Sequence, residues 1–375
     1  MYVTVCGLIE GDILRKLLRS SGGSIFIGGL SRGCQLCMKG GKLVLFVTGL
    51  CENPVTCSWY CPISYERKGK DVIYANERLV HGYKDIINEV IISSADGTGI
   101  TGGEPLLVLD RAVHYIQLLK DYFGDTHHIH LYTAMKRINK NDIKKLADAG
   151  LDEIRFHILA EKESKVLASV DNSLSVGVEI PAIPGRTESM KKLIELLEKY
   201  GVDFLNINEL EFAETNAYQL KERGFKIDHN SIAAVKGSED VAMELLKWAR
   251  TNTNLNIHYC PSRLKGGVQL KNRLLRRAKN VAKPYEKITK EGLLLKGVII
   301  FDKSDENINA LYSIFKKYSI PDKLIYFNPE KVRIETSIEI VKKIAEKTKK
   351  KGFKVGILEE YPTDPPRLET SYTPL

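Results

Sequence analysis

Three cysteines, Cys51, Cys57 and Cys61, fall within eleven residues of the stretch LCENPVTCSWYCP. Thiolates are soft metal ligands. Three of them can hold three irons of a four-iron cluster and leave the fourth iron open to another ligand. The strand-like run KLVLFVTGL precedes them, and GITGGEP follows, carrying Thr101, Gly102, Gly103, Glu104 and Pro105. Glycines in such a place let a strand edge and its carbonyls approach a ligand closely. A second arrangement stays open on the cysteines alone. Cys34, Cys37, Cys57 and Cys61 also read CxxC…CxxxC, a tetrahedral zinc pattern.

Other soft ligands are scattered. Cys34 and Cys37 form GCQLC, and His258 and Cys260 lie two apart in the strand-like IHYCP. Residues at i and i+2 of a strand share a face, so these four make a possible second site for zinc or an auxiliary iron–sulfur cluster. The competing reading makes the CxxC a redox pair and Cys260 a buried apolar residue. Cys6 has no partner in sequence and reads as core. In HHIHLYTA, His128 and His130 share a face and suit a structural or substrate-positioning role.

Charges inside apolar strands are costly unless paired. Arg155 and His157 alternate in DEIRFHI, Glu179 sits in VGVEIP, and Asn206, Asn208, Glu209 and Glu211 lie in FLNINELE. The planar fork of Arg155 suits a carboxylate ligand. An internal Arg155–Glu179 salt bridge would need no ligand, and both readings stand. No side chain is marked as a general acid or base.

These residues need a frame to bring them together. Across 41–260, apolar β-rich runs alternate with helical patterns such as LDRAVHYIQLLKDYFG and SMKKLIELLEKYG. Such alternation predicts an α/β fold, a full or partial (β/α) barrel of six or seven parallel strands, with a small C-terminal α/β unit. In barrels of this kind chemistry collects at the strand C-terminal ends, where the cysteines, GGEP and the end of FLNINELE fall. The domain reading is an N-terminal segment with CxxC at 1–40, the barrel at 41–260, a basic connecting segment at 261–292 and a β-α-β-α-β unit at 293–375.

The chain of 375 residues is 43% hydrophobic and 27% charged, with a formal net charge of +9. That composition supports a sizeable core. No secretion signal or apolar run of membrane-spanning length is visible, so the expected compartment is the cytoplasm. There, cysteines serve as ligands or reactive thiols rather than disulfides. From Arg263 to Lys287 nine Lys or Arg accompany one acid, Glu286. That run either neutralises nucleic-acid phosphates or forms an ordinary solvated helix face.

With the cysteine cluster after the first strand and GGEP after the second, residues 41–260 resemble the radical SAM superfamily, and within it proteins related to pyruvate formate-lyase activating enzyme. The superfamily's usual spacing is CxxxCxxC, whereas this chain has Cx5CxxxC. The resemblance implies that Cys51, Cys57 and Cys61 hold a [4Fe–4S] cluster and that S-adenosyl-L-methionine (SAM) chelates its open iron. It places Tyr60 near the adenine and Thr101, Gly102, Gly103 and Glu104 near the methionine amino group. It makes Arg155 a candidate for the SAM carboxylate, and Glu179 with the pair Asn206 and Asn208 candidates for the ribose or the substrate. It also implies an electron donor such as ferredoxin or flavodoxin and a protein or peptide substrate; the net charge and the basic run motivate RNA as the alternative substrate, and the lack of a long apolar run argues against a membrane partner. The reading from another class is a non-catalytic iron–sulfur or zinc protein.

Overall fold

The computed structural model describes residues 14–52, 57–170, 173–231, 233–302, 305–363 and 367–375. Cys6, residues 53–56 of the cysteine loop and part of the proline-rich tail lie outside them. The chain divides into two compact units. One holds residues up to 38, 42–87 and 96–269; the other holds 39–41, 88–95 and 270–375.

The first unit opens with β1 (Leu17–Arg19), β2 (Ile25–Ile27), α1 (Arg32–Met38), β3 (Lys42–Phe46) and the short pair β4 (Tyr74–Ala75) and β5 (Arg78–Leu79). Then come α2 (Tyr83–Ser93), whose residues from 88 onward belong to the second unit, β6 (Gly97–Thr101), α3 (Leu109–Phe123), β7 (His128–Thr133), α4 (Lys140–Asp148) and β8 (Glu153–Phe156). It ends with β9 (Ser175–Ala182), α5 (Thr187–Lys199), β10 (Phe204–Glu209), α6 (Ala217–Glu222), α7 (Ser238–Asn252), β11 (Asn256–Cys260) and α8 (Ser262–Leu264).

Its sheet runs β1-β2-β11-β10-β9-β8-β7-β6-β3-β4-β5. The pairings from β3 through β6, β7, β8, β9 and β10 to β11 are all parallel. The expected parallel strands are therefore present, but a closed barrel is not. The outermost parallel strands pair outward instead of with each other: β3 takes β4 and β11 takes β2, both antiparallel. With those edges occupied, the ring cannot close. Residues 17–27 thereby extend this same sheet.

The helices follow the sequence periodicity. On α5 the buried residues are Met190, Leu193, Ile194 and Leu197, one face of a 3.6-residue repeat. Asn139 caps α4 by accepting from the Asp142 amide at 2.8 Å. Strands covered on both faces carry near-continuous apolar runs; all four residues of β8 are buried. No described helix is long and apolar enough to cross a membrane.

The second unit contains α9 (Lys271–Val281), β12 (Lys287–Ile288), β13 (Leu294–Ile300), α10 (Asp305–Lys317), β14 (Ile325–Asn328), β15 (Arg333–Thr336), α11 (Ile338–Lys349), β16 (Lys354–Glu360) and β17 (Glu369–Pro374). Its sheet, β14-β15-β13-β16-β17 with β12 on β13, is antiparallel throughout. The expected β-α-β-α-β reading lacked β15 and β17, which are too short or too polar to stand out. Ile299, Phe315, Ile334, Val341 and Ile344 form its helix-side core. Lys296, of opposite parity on β13, sits in a buried ion network with Glu335 at 2.6 Å and Glu360 at 2.9 Å.

Candidate active site

A cleft of about 390 Å³ opens at the C-terminal ends of the parallel strands. After β3 it is lined by Cys51, Cys57, Tyr60 and Cys61, and after β6 by Gly102 and Gly103. Tyr132 and Thr133 of β7, Arg155 and His157 at β8, and Glu179 of β9 continue the wall. Asn208 to Glu211 at the end of β10 and Lys265 beyond β11 complete it. Parallel α/β sheets gather side chains from many strands at this end.

The cysteine loop and the GG loop lock together. The amide of Gly103 donates to the Thr48 carbonyl at 2.7 Å, and that of Glu104 donates to the Leu50 carbonyl at 2.7 Å. A Cβ on Gly103 would stand 2.1 Å from the Leu50 carbonyl oxygen and 2.8 Å from the Cys51 sulfur. A Cβ on Gly102 would stand 2.4 Å from the Thr48 carbonyl oxygen. Only glycine fits at either position.

Burial, reinforced by the charges of Cys61 and Cys51, pushes the Cys57 thiol up to about 11. Burial and Cys61 also push Cys51 up. Metal binding requires such thiols to be deprotonated and releases their protons. Among the described residues no three His, Cys, Asp or Glu side chains converge to hold a single ion. Cys51, Cys57 and Cys61 open together on the cleft. The CxxC…CxxxC zinc pattern is not assembled among the described residues.

A cap holds the loop from the other side. Asn216 donates to the Tyr60 carbonyl at 2.9 Å and Thr215 to the Cys61 carbonyl at 3.2 Å. Trp59 stacks on Phe225, with ring centroids 5.9 Å apart, and Arg223 lies over Trp59. Nothing in the sequence pointed to residues 211–236 as this cap, because the contacts are long-range.

Two expected cofactor contacts lie off the cleft lining. Glu104 is buried, and its carboxylate accepts from the Leu106 amide at 3.0 Å, Thr133 Oγ1 at 2.8 Å and the Ala134 amide at 2.7 Å. It braces β6 against β7 rather than facing a ligand. Asn206 is also buried, lies beside Glu179 in the strand register, and helps lower the Glu179 carboxyl. Asn208 takes the place at the wall, donating to Glu179 Oε1 at 2.8 Å.

Arg155 is fully engaged within the protein. Its Nε donates to Glu153 Oε1 at 2.5 Å and its Nη1 to Glu179 Oε2 at 2.7 Å. Nη1 also reaches Tyr132 Oη at 3.1 Å, while Nη2 reaches Ser31 Oγ at 3.1 Å and Cys34 Sγ at 3.6 Å. The internal salt bridge is thus formed. Although burial opposes it, Arg155 and the two Asn amides hold Glu179 below the usual carboxylate range.

The possible second site is only partly gathered. Cys34 and Cys37 lie on α1 and Cys260 on β11; burial, then the charge of Cys34, pushes Cys37 up to about 11, and burial with the charges of Cys34 and Cys37 pushes Cys260 up. His258 Nε2, however, bonds Ser24 Oγ at 2.8 Å. None of the four lines the cleft.

Much of the basic run is used internally. Arg263 pairs with Glu239 at 2.8 Å, Lys271 with Glu291 at 3.0 Å, and Lys265 and Arg277 with Glu211 and Glu89.

The chain is similar to known proteins over most of its length. A Methanocaldococcus jannaschii protein described as a "putative glycyl-radical enzyme activating enzyme" is 43% identical over 354 residues, covering 89% of this chain and 90% of that protein. Residues 292–375 match a family described as a domain of unknown function, DUF8061. Among solved structures, a radical SAM methyltransferase from Kitasatospora setae, with tryptophan and a SAM analog bound, is 12% identical with a TM-score of 0.35. That match covers 52% of this chain and 42% of the methyltransferase and carries no argument by itself. At the identity and coverage of the archaeal relative, the chain belongs to the radical SAM superfamily, among the proteins related to glycyl-radical enzyme activating enzymes.

Proposed function

We propose that Cys51, Cys57 and Cys61 hold a [4Fe–4S] cluster, with one iron left for the amino and carboxylate groups of SAM. The observation that carries this reading is that the three thiols and the bare Gly102–Gly103 backbone open on one cleft at the strand ends. When bound, the cluster supplies the electron that cleaves SAM to methionine and a 5′-deoxyadenosyl radical, which abstracts hydrogen from the substrate. The chain's own part is positioning. Thr101, Gly102 and Gly103 present backbone to the methionine end, and Tyr60 presents its ring to the adenine. Glu179, held ionised by Arg155, and Asn208 offer acceptors and donors to the ribose. The open sheet acts as a partial (β/α) barrel whose mouth excludes water around the reacting atoms.

The substrate is a protein or peptide, supported by the name of the archaeal relative, and the electron comes from a ferredoxin or flavodoxin. The internal pairing of the basic run leaves the RNA reading without a specific observation in its favour. Anaerobic reconstitution with iron and sulfide, then dithionite and SAM, tests the reading. Iron uptake near four per chain with release of 5′-deoxyadenosine is expected. Protein that takes up only zinc, or cleaves no SAM, would sink it.

A further inference from the structure

Arg155 and Lys265 are the two cations among the described cleft-lining residues. Arg155 spends its donors on Glu153, Tyr132, Glu179, Ser31 and Cys34. Lys265 is different. Its side chain is 36% exposed and its ion-pair partner is Glu211, also on the cleft. An ammonium carries three donors, so one carboxylate does not exhaust it.

The local backbone is unusual as well. Residues Lys265–Leu270, KGGVQL, form a π-helical turn that continues α8. Such widened turns recur at functional sites. Added Cβ atoms on Gly266 and Gly267 would meet nothing within 4 Å. These glycines therefore answer no packing demand, although glycine weakens a helix. They leave backbone bare beside the lysine. The start of the helix is already filled: Glu209 Oε2 accepts from the Ser262 amide and hydroxyl, both at 2.7 Å. The place left for an incoming anion is the ammonium of Lys265.

The geometry points to Lys265, at the start of the Gly266–Gly267 turn, as an anion-binding residue on the cleft wall, taking a carboxylate or phosphate beside or in place of Glu211. The anion has two sources, the carboxylate of SAM or an acidic group of the substrate. This role rests on the proposed function only in that the cleft receives the reactants.

The test uses the full reconstituted chain, with inorganic phosphate followed by phosphorus NMR and SAM by equilibrium dialysis. Lys265→Met should weaken binding of phosphate, of SAM or of both about tenfold, the loss expected of one charged hydrogen bond. Lys265→Arg should retain it, and Glu211→Gln, which frees the ammonium, should strengthen phosphate binding. Phosphate expelled by saturating SAM assigns the site to the SAM carboxylate; phosphate retained assigns it to the substrate. Equal phosphate and SAM binding by wild type and Lys265→Met, with circular dichroism unchanged, overturns the proposal. Failure of the cluster reading shows separately, as absent iron and absent SAM binding, while the phosphate arm still reports on Lys265.

Discussion

The phenolic oxygen of Tyr60 lies 2.5 Å from Nε2 of His157, and Nδ1 of the same ring lies 3.0 Å from the Glu179 carbonyl oxygen. A carbonyl only accepts, so Nδ1 carries the proton, Nε2 accepts, and the phenol donates. Burial lowers His157 below the usual histidine range, which keeps the ring neutral and the direction of this chain of bonds fixed. The relay ties the last turn of the cysteine loop to β8 and β9.

Replacing that donor should loosen the loop. Tyr60→Phe leaves Nε2 of His157 buried without a partner, at a cost of about 1–3 kcal/mol. Thermal unfolding should shift down accordingly, and reconstituted protein should lose iron faster to a chelator. An unchanged melting temperature and iron half-life would show that the relay does not hold the loop.

Gly103→Ala should be worse tolerated than an ordinary surface change. Its methyl would meet the Leu50 carbonyl oxygen and the Cys51 sulfur, neither of which is a flexible chain end. Overpacking of this kind costs about 1–3 kcal/mol. Iron uptake should fall with stability, measured by iron assay and urea unfolding. Wild-type iron content in the variant would contradict the close fit of the two loops.

Glu104→Gln tests whether this residue is a brace or a ligand contact. The amide would point a donor at one of three existing donors, Leu106, Thr133 or Ala134. Stability should drop by about 1–3 kcal/mol while SAM affinity of the folded, reconstituted protein changes little. A large loss of SAM affinity at unchanged stability would reverse the assignment.

Acid should destabilise the protein partly through His127. Burial, then the charges of Lys42 and Lys120, pushes it down to about 4, and its Nε2 lies 2.9 Å from Thr98 Oγ1. Unfolded, it titrates near 6.5, so the unfolded state binds the extra proton between those values. This contribution is present above pH ~6.5 and is lost as pH falls toward about 4. His127→Gln should therefore lose less of its urea midpoint than wild type between pH ~7.5 and ~5. Equal losses would refute the linkage.

How much of this was legible varies by residue. Cys51, Cys57, Cys61 and the two glycines were readable because chemistry and backbone freedom are local properties of residue type. The faces of Arg155 and Glu179, and a salt bridge between them, were readable from alternation, but the other long-range partners of Arg155 were not. Tyr132, Ser31 and Cys34 reach Arg155 from β7 and the N-terminal segment, and strand register between distant segments decides that. The burial of Glu104 and Asn206 off the cleft lining was unreadable for the same reason, since type and spacing do not say how far behind the cleft a polar side chain lies.

By itself, the sequence determined the strand–helix alternation, the position of the thiols at strand ends and the need for glycine beside them, because these follow from short-range sterics and periodicity. Only the tertiary structure decided that the sheet stays open, that residues 211–236 cap the cysteine loop, and that Lys265 faces the cleft from inside what read as a surface run of charge. Those outcomes depend on which edges find partners and which charges meet across the chain, and no local pattern encodes that.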